Sequence, residues 1–245
     1  MPTVTTRLLL LGHRGVRPLP CLGLRWRKAE IPPENTLAAF DYALAHGCDG
    51  FEFDVRYTHD RRSVLWHDAT CEHAEVSTLI YEGMERRSGY RIPCLEHVLS
   101  RYASTAYLNI ELKARGNEEA VVEALRADPP RRGYVVSSFL PEVLMRLNEL
   151  DARLPLGYIC DQEKKLAPWK DLPIETFFPH HRLVSQVLID EAHARGLKLM
   201  AWTVNDGEDM LRFAEWGVDG LISDSPTLLS ETFPLPKRAL AAAQG

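Results

Sequence analysis

Four short segments of the chain place ionisable side chains at the ends of predicted β-strands. They are His13-Arg14-Gly15, Glu52-Phe53-Asp54, His67-Asp68 and Glu111-Leu112-Lys113. Two histidines, three strand carboxylates, an arginine and a lysine are enough to hold a divalent metal and a phosphate side by side. Core packing alone does not explain this set, so the sequence indicates chemistry on an anionic substrate.

Glu52 and Asp54 are two residues apart on a predicted strand, so their side chains point to the same side. Two carboxylates on one face of an apolar strand repel each other unless a positive charge lies between them. A hard divalent cation, Mg²⁺ or Ca²⁺, is a natural partner for such oxygen ligands. The alternative is that one carboxylate caps a loop while the other pairs with Arg14 or Arg56.

Glu111 and Lys113 repeat this two-residue spacing at the end of another predicted strand, 107–112. Glu111 would supply a third carboxylate to a metal, and the Lys113 ammonium would contact a phosphate oxygen. Taken alone, the segment would be a solvated strand end. The pairing with a second acidic strand end favours the metal site.

Both strand-end histidines fit acid/base chemistry, since an imidazole exchanges protons near neutral pH. His13 precedes Arg14, whose planar guanidinium can bind a phosphate, and Gly15, which lets the backbone turn sharply. His67 is followed by Asp68, which could orient its ring. A single strand-end histidine is usually structural, but two of them beside three carboxylates favour catalysis.

Length and composition indicate a globular protein. The chain has 245 residues, of which 45% are hydrophobic and 26% charged. A net charge of −5 argues against a nucleic-acid partner. Five cysteines without CxxC spacing predict free thiols, and no apolar run is long enough for a signal peptide or a stable membrane insertion. We therefore expect a cytoplasmic protein, and the sequence indicates no particular oligomeric state.

The elements that must position these residues follow a β–α alternation, which predicts a parallel sheet covered by helices. The strand candidates are 8–11, 50–56, 64–67, 107–112, 134–137, 156–159, 176–178, 197–204 and 220–223. The predicted helices are 36–46, 95–102, 118–126, 141–150, 184–195 and 208–216. The fold expected is an α/β (β/α)8 TIM barrel forming a single domain, 1–245, with its core at about 8–230.

Nine strand candidates are one more than such a barrel needs. Strand 176–178 has the weakest pattern, and strand 64–67 follows the previous strand too closely for a helical crossover. Residues 16–33 and 69–93 are expected to be irregular loops. Both follow strand ends that carry histidines, where a barrel builds its active site.

The pattern resembles the glycerophosphodiester phosphodiesterase family. The matching segments are LGHRG (11–15), PPENTLAAF (32–40), GCDGFEFDVRYTHD (47–60), VLWHD (64–68), LNIELK (108–113), VVSSF (135–139), AWTVN (201–205) and GVDGLISDSP (217–226). They occur in the family's order from residue 11 to residue 226. No single motif is decisive, but their ordered combination is highly specific.

This resemblance implies a TIM barrel with one divalent metal ion, Mg²⁺ or Ca²⁺, at the carboxyl ends of its strands. Carried over by position, Glu52, Asp54 and Glu111 would be the metal ligands, and His13 and His67 the acid/base pair. The implied reaction is metal-dependent hydrolysis of a small glycerophosphodiester to glycerol 3-phosphate and an alcohol. The family mechanism suggests that the substrate's glycerol 2-hydroxyl attacks first and forms a cyclic phosphate.

The resemblance also implies roles for five further residues. Arg14 and Lys113 would contact the phosphate, and Glu34 would support the site by hydrogen bonding. Phe139 and Trp202 match positions that line the glycerol end of the family's pocket, although either could simply pack in the core.

The sequence departs from the family's pattern at two places. The link from Gly15 to Pro33 is longer than usual, and the segment after Asp68 is a shortened cap insertion after the third strand. We expect the longer link to replace part of the cap and to change headgroup selectivity. The alternatives are a lysophospholipase-D-type phosphodiesterase, which acts on acylated diesters, and a non-catalytic barrel that binds a phosphorylated ligand.

Overall fold

The computed structural model describes residues 7–18 and 31–234, and eight of its strands form a closed parallel barrel. Strand β1 pairs with both β2 and β11, which closes the sheet. The order around the barrel is β1, β2, β6, β7, β8, β9, β10 and β11. The strands are β1 (Leu9–Gly12), β2 (Gly50–Tyr57), β3 (Ser63–Leu65), β4 (Thr70–Cys71), β5 (Ala74–Glu75), β6 (Tyr107–Leu112), β7 (Tyr134–Ser138), β8 (Leu156–Cys160), β9 (Thr176–Pro179), β10 (Lys198–Ala201) and β11 (Gly220–Ser223).

Helices cover the outside of the barrel, and local signals explain where several of them begin and end. The Thr36 hydroxyl accepts a hydrogen bond from Ala39 N at the start of the first helix, and Gly217, with φ 89°, ends the seventh. The helices are α1 (Leu37–Ala45), α2 (Tyr81–Ser88), α3 (Leu95–Tyr102), α4 (Glu118–Ala127), α5 (Pro141–Leu150), α6 (Gln186–Ala194), α7 (Gly207–Trp216) and α8 (Pro226–Thr232). All six predicted helices are present, and the sequence pattern missed α2 and α8.

The barrel strands are buried on both faces, which explains their continuous apolar runs. The outer faces pack against the helices in the main core. Six side chains from six different strands fill the barrel interior: Leu11, Val135, Ile159, Phe178, Met200 and Ile222. This plug supports the polar residues at the carboxyl ends of the strands from below.

The extra strand candidate is 64–67, which is not a barrel strand. Residues 63–65 form β3, which pairs antiparallel with the end of β2, with Val55 opposite Leu65. A connection this short allows a hairpin but not a parallel crossover. Strand 176–178, which has the weakest pattern, is the barrel strand β9 and pairs with both β8 and β10.

Residues 66–93, called the cap segment below, follow β3 and cover one side of the barrel mouth. The expectation of an irregular loop is wrong here, because the segment contains the β4–β5 hairpin and α2. A separate apolar cluster that includes Val76, Tyr81 and Met84 stabilises it. Within the long 16–33 link, residues 19–30 lie outside the described part of the chain.

Two sequence expectations concern cysteines and membranes. Cys48, Cys71, Cys94 and Cys160 are buried free thiols, and Cys21 lies outside the described residues. Among residues 7–18 and 31–234, no helix has the length and apolar character needed to cross a bilayer.

Candidate active site

Three buried carboxylates meet at the carboxyl end of neighbouring barrel strands. Glu52 and Asp54 lie on β2 two residues apart, and Asp54 pairs in register with Glu111 on β6. One oxygen of each side chain lies within 4.8 Å of the others. The side chains are 8% exposed or less, so water screens their mutual repulsion poorly. The structure thus brings together the three predicted metal ligands.

These carboxylates have oxygens that need a positive partner. Glu52 Oε1 is buried and has no hydrogen-bond donor among the described residues. Lys113 Nζ lies 3.3 Å from Asp54 Oδ1 and 2.6 Å from Glu111 Oε1, which offsets only part of the negative charge. A divalent cation fits this set because all the available ligand atoms are carboxylate oxygens, which hard cations prefer.

Protonation of the three acids differs with their surroundings. Burial and the neighbouring Asp54 raise the pKa of Glu52 well above its usual value. Burial also raises the pKa of Glu111, to about 7, although Lys113 opposes this. For Asp54, the charges of Lys113 and Arg14 outweigh burial and lower the pKa. Asp54 is therefore the acid that stays ionised most readily.

His13 is held in one orientation by a buried carboxylate. Its Nδ1 lies 2.6 Å from Asp224 Oδ1, and Asn205 Nδ2 donates to Asp224 Oδ2 at 2.7 Å. Although burial opposes it, the contacts with His13 and Asn205 lower the pKa of Asp224. His13 Nε2 lies 3.8 Å from Glu52 Oε2, so the ring is next to the acidic cluster. Asp224 therefore orients the His13 ring.

His67 lies on the cap side of the site and is half-buried. Its Nδ1 is 2.7 Å from Asp68 Oδ1, and Arg56 Nε donates to its backbone oxygen at 2.9 Å. Burial lowers the pKa of His67 below its usual value, and the cations Lys113 and Arg14 act in the same direction. Each predicted acid/base histidine therefore has a carboxylate of its own on Nδ1.

Arg14 links the acidic cluster to the 31–36 turn. Its backbone N donates to Glu52 Oε2 at 2.9 Å, and Nη1 donates to Glu34 Oε1 at 2.7 Å. Its Nε lies 3.0 Å from Asp54 Oδ2. Arg14 has φ 51°, which is strained for a residue other than glycine and which the surrounding contacts enforce. Glu34 thus fixes the guanidinium by hydrogen bonding.

Phe139 and Trp202 form an aromatic pair at the mouth, on the side away from the cap segment. Their ring centroids are 5.4 Å apart at 82°, and both side chains are half-buried. Trp202 Nε1 donates to Phe178 O at 2.9 Å, which fixes the indole. Lys113 Nζ lies 5.5 Å from the Phe139 centroid, so this wall adjoins the charged centre.

The sequence reasoning missed two asparagines that organise the site. Asn35 bonds to Asp54 on both its side chain and its backbone, and Asn205 bonds to Asp224 and Ser223. Asn35 lies beside Glu34 in a matched segment, and Asn205 ends another. Their location within matched segments was the available signal, but their amide side chains do not ionise and so did not stand out.

Comparison with known proteins agrees with this geometry. The model of the Glycerophosphoryl diester phosphodiesterase family matches residues 25–228. A glycerophosphodiester phosphodiesterase of Caldanaerobacter subterraneus is 31% identical over 247 residues, with 91% of this chain and 96% of that protein covered. One from Bacillus altitudinis is 29% identical over 220 residues, with 79% and 90% covered.

Solved structures share the fold. The glycerophosphodiester phosphodiesterase of Thermotoga maritima has a TM-score of 0.74 and 23% identity, with 92% of this chain and 98% of that chain covered. A phosphodiesterase from Oleispira antarctica, solved in complex with the product sn-glycerol-3-phosphate, has a TM-score of 0.73 and 25% identity, with 91% and 96% covered. This chain belongs to the glycerophosphoryl diester phosphodiesterase family.

Proposed function

We propose that this protein hydrolyses glycerophosphodiesters to glycerol 3-phosphate and an alcohol with the help of one divalent metal ion. The observation that carries the proposal is the acidic cluster of Glu52, Asp54 and Glu111, next to which each of two histidines has its own carboxylate partner. Family membership and the product-bound relative support the substrate class.

Glu52, Asp54 and Glu111 would hold the metal, as Mg²⁺ or Ca²⁺. When bound, the ion would supply Lewis-acid stabilisation of the phosphate's negative charge. Because the pKa values of Glu52 and Glu111 are raised, metal binding would compete with protons at these two acids. The Arg14–Glu52 and Asn35–Asp54 hydrogen bonds would fix two of the ligands before the metal arrives.

The histidines would move the protons. One imidazole takes the proton of the attacking hydroxyl as its oxygen bonds to phosphorus. The other gives a proton to the leaving oxygen as the phosphorus–oxygen bond breaks, so that the alcohol departs neutral. Asp224 and Asp68 each accept from Nδ1 and leave Nε2 of the ring for this exchange. If the attacking hydroxyl belongs to the substrate's own glycerol, the family's cyclic phosphate would form first. Water would then attack phosphorus and break the ring P–O bond to the 2-oxygen, with a proton passed to that oxygen, to give glycerol 3-phosphate.

Arg14 and Lys113 would bind the phosphate oxygens, since both cations adjoin the acidic cluster. Glu34 would keep the Arg14 guanidinium in place through its 2.7 Å contact. The aromatic pair of Phe139 and Trp202 would contact the carbon side of the glycerol. These groups would place the phosphate between a polar centre and an apolar wall.

Two alternatives differ in what they require. A lysophospholipase-D-type activity needs a surface for an acyl chain, and one relative is a rat lysophospholipase D, 24% identical over 261 residues. A non-catalytic phosphate-binding barrel would not need both histidine–carboxylate pairs. We favour the glycerophosphodiester because the small polar site and both pairs are present.

The test is coupled release of glycerol 3-phosphate from glycerophosphoethanolamine, with EDTA and then with Mg²⁺ or Ca²⁺ restored. We expect metal-restored activity in the wild type and its loss in His13→Ala. Asp224→Asn keeps the size of the side chain but removes the negative charge that contacts His13. This substitution should lower kcat by at least about 10²-fold. Glu142→Gln, at an exposed position on α5, is the matched control. The proposal would be overturned if the wild-type protein hydrolysed no water-soluble glycerophosphodiester with either metal.

A further inference from the structure

A small pocket lies immediately beyond the catalytic residues, on the cap side of the barrel mouth. Its volume is about 230 Å³, and we call it the cap-side pocket. The lining residues are Arg56, Tyr57, Ala69, Glu75, Val76, Ser77 and Ala114. Arg56 lies two residues after Asp54, Ala69 lies two after His67, and Ala114 directly follows Lys113. The pocket therefore begins where the catalytic groups end.

Arg56 is a half-buried cation that makes no direct ion pair within residues 7–18 and 31–234, although Asp54, Glu111 and Asp68 attract its charge. Alternation along β2 puts its side chain on the same face as Glu52 and Asp54. Its Nε donates to His67 O, but no carboxylate of the described residues forms an ion pair with the guanidinium. Burial lowers the pKa of Arg56, although the nearby carboxylates of Asp54, Glu111 and Asp68 act in the opposite direction. The other N–H groups of its guanidinium make no hydrogen bond within the described part of the chain, and they suit a ligand acceptor such as a carboxylate.

Glu75 lines the same pocket and carries the opposite charge. Its carboxylate is exposed and makes no ion pair within the described residues, so it does not neutralise Arg56. A pocket with a separate cation and anion complements a ligand that carries both charges. A quaternary ammonium prefers aromatic faces, and this pocket offers it poor binding. Among the lining residues named above, Tyr57 alone has a ring, and Arg61 already lies 5.5 Å from the centroid of that ring.

We propose that the cap-side pocket binds the leaving alcohol of the diester and selects a small zwitterionic alcohol, with Arg56 on its carboxylate and Glu75 on its ammonium. The proposal rests on the proposed function. It follows from the position of the pocket at the end of β2, whereas Phe139 and Trp202 follow the strands β7 and β10. Serine is the simplest alcohol with this chemistry, and its volume suits a pocket of about 230 Å³.

The test compares glycerophosphoserine with glycerophosphoethanolamine, which differ only by the serine carboxylate. We expect wild-type kcat/KM to be about tenfold or more higher for the serine diester, as a charge-assisted hydrogen bond implies. Arg56→Met should bring this ratio close to one, and Arg56→Lys should restore part of it. The ratio is the readout because loss of the Arg56–His67 contact would lower both rates together.

A second variant separates the two charges. Glu75→Gln should lower kcat/KM for both ammonium-bearing diesters relative to glycerophosphoglycerol. Arg86→Met, which removes a positive charge from an exposed position on α2, is the control for Arg56→Met. Thermal unfolding checks that each variant is folded.

Three outcomes would overturn the inference. They are a wild-type preference for glycerophosphocholine, a serine-to-ethanolamine ratio near one in the wild type, and an unchanged ratio in Arg56→Met. Each of these presupposes that some diester is hydrolysed. Failure of the proposed function itself is different, because it would appear as no glycerol 3-phosphate from any of the four substrates.

Discussion

Asn35 and Asp54 are joined by a reciprocal pair of hydrogen bonds. Asn35 Nδ2 donates to Asp54 Oδ2 at 2.7 Å, and Asp54 N donates to Asn35 Oδ1 at 3.1 Å. Asn35 has φ 57°, and its backbone N donates to Arg14 O at 3.0 Å. The 31–36 turn is thereby tied to both β2 and the His13-Arg14 segment. This arrangement leaves Asp54 Oδ1 as the oxygen directed at the acidic cluster.

We predict that Asn35→Gly weakens metal binding by about 10- to 100-fold, because it removes both hydrogen bonds that orient Asp54. Glycine adopts φ 57° without strain, so the backbone should persist. Asn35→Ala should show the same loss of metal affinity. It should also be less stable than Asn35→Gly by about 1 kcal/mol, because alanine adopts this φ less readily than glycine. Calorimetric titration with Mg²⁺ or Ca²⁺ measures the first effect and thermal unfolding the second. Unaltered affinity in Asn35→Gly would contradict the prediction and would show that Arg14 and Lys113 suffice to orient Asp54.

Metal binding should stabilise the wild type, because it relieves the crowding of three buried acids. At about 100 times the dissociation constant, the gain is roughly 2.7 kcal/mol, or about 5–10 °C in Tm. Glu52→Gln should abolish this shift. In EDTA its Tm should equal or exceed that of the wild type, because burial beside Asp54 disfavours the ionised form of Glu52 and raises its pKa.

Glu142→Gln is the control for the preceding comparison, since it alters an exposed glutamate of α5 and should retain the metal-induced shift. A Glu52→Gln protein that unfolds well below the wild type in EDTA would contradict the expectation. Such a result would mean that Glu52 contributes to the metal-free fold as an ionised partner of Arg14.

Much of the site could be predicted because its ionisable residues occur in short segments at strand ends. The two-residue spacing of Glu52 and Asp54 follows from strand alternation alone, and pairing with Glu111 requires only that β2 and β6 be neighbours. The roles of Asn35 and Asn205 were not predicted because an amide side chain does not ionise. Their importance depends on carboxylates that are distant in sequence, and only the folded chain shows those contacts.

The predicted TIM barrel is confirmed, but the sequence left open which of the nine strand candidates lies outside it. Residues 64–67 and 176–178 are both short apolar runs, yet the first becomes a hairpin partner of β2 and the second a barrel strand. Connection length separates them, because a parallel crossover needs about a dozen residues. Helix α2, with the sequence YEGMERRS, has a weak apolar pattern and is stabilised by Tyr81 and Met84 in the cap cluster.

We predict that His67 of the metal-free protein titrates below pH 6.5. Burial disfavours the imidazolium, Lys113 and Arg14 add to this effect, and together they outweigh Asp54 and Asp68. Asp68→Asn should lower the pKa further, because it removes a carboxylate that favours the charged ring. Imidazole ¹⁵N chemical shifts followed against pH in EDTA measure both, with His67→Gln to assign the signal. A His67 pKa at or above 6.5, or one raised by Asp68→Asn, would be inconsistent with this environment.

The aromatic pair should act on the half of the substrate that all glycerophosphodiesters share. Phe139 and Trp202 follow β7 and β10, whereas the cap-side pocket lies at the end of β2, so Phe139→Ala should raise KM about tenfold for serine, ethanolamine and choline diesters alike. Phe139→Leu keeps most of the apolar contact and should show a smaller rise. Steady-state kinetics on the three substrates measures these changes. A Phe139→Ala effect that differs strongly between leaving groups would place the aromatic pair at the leaving-group end, and the glycerol would then have to face the cap segment.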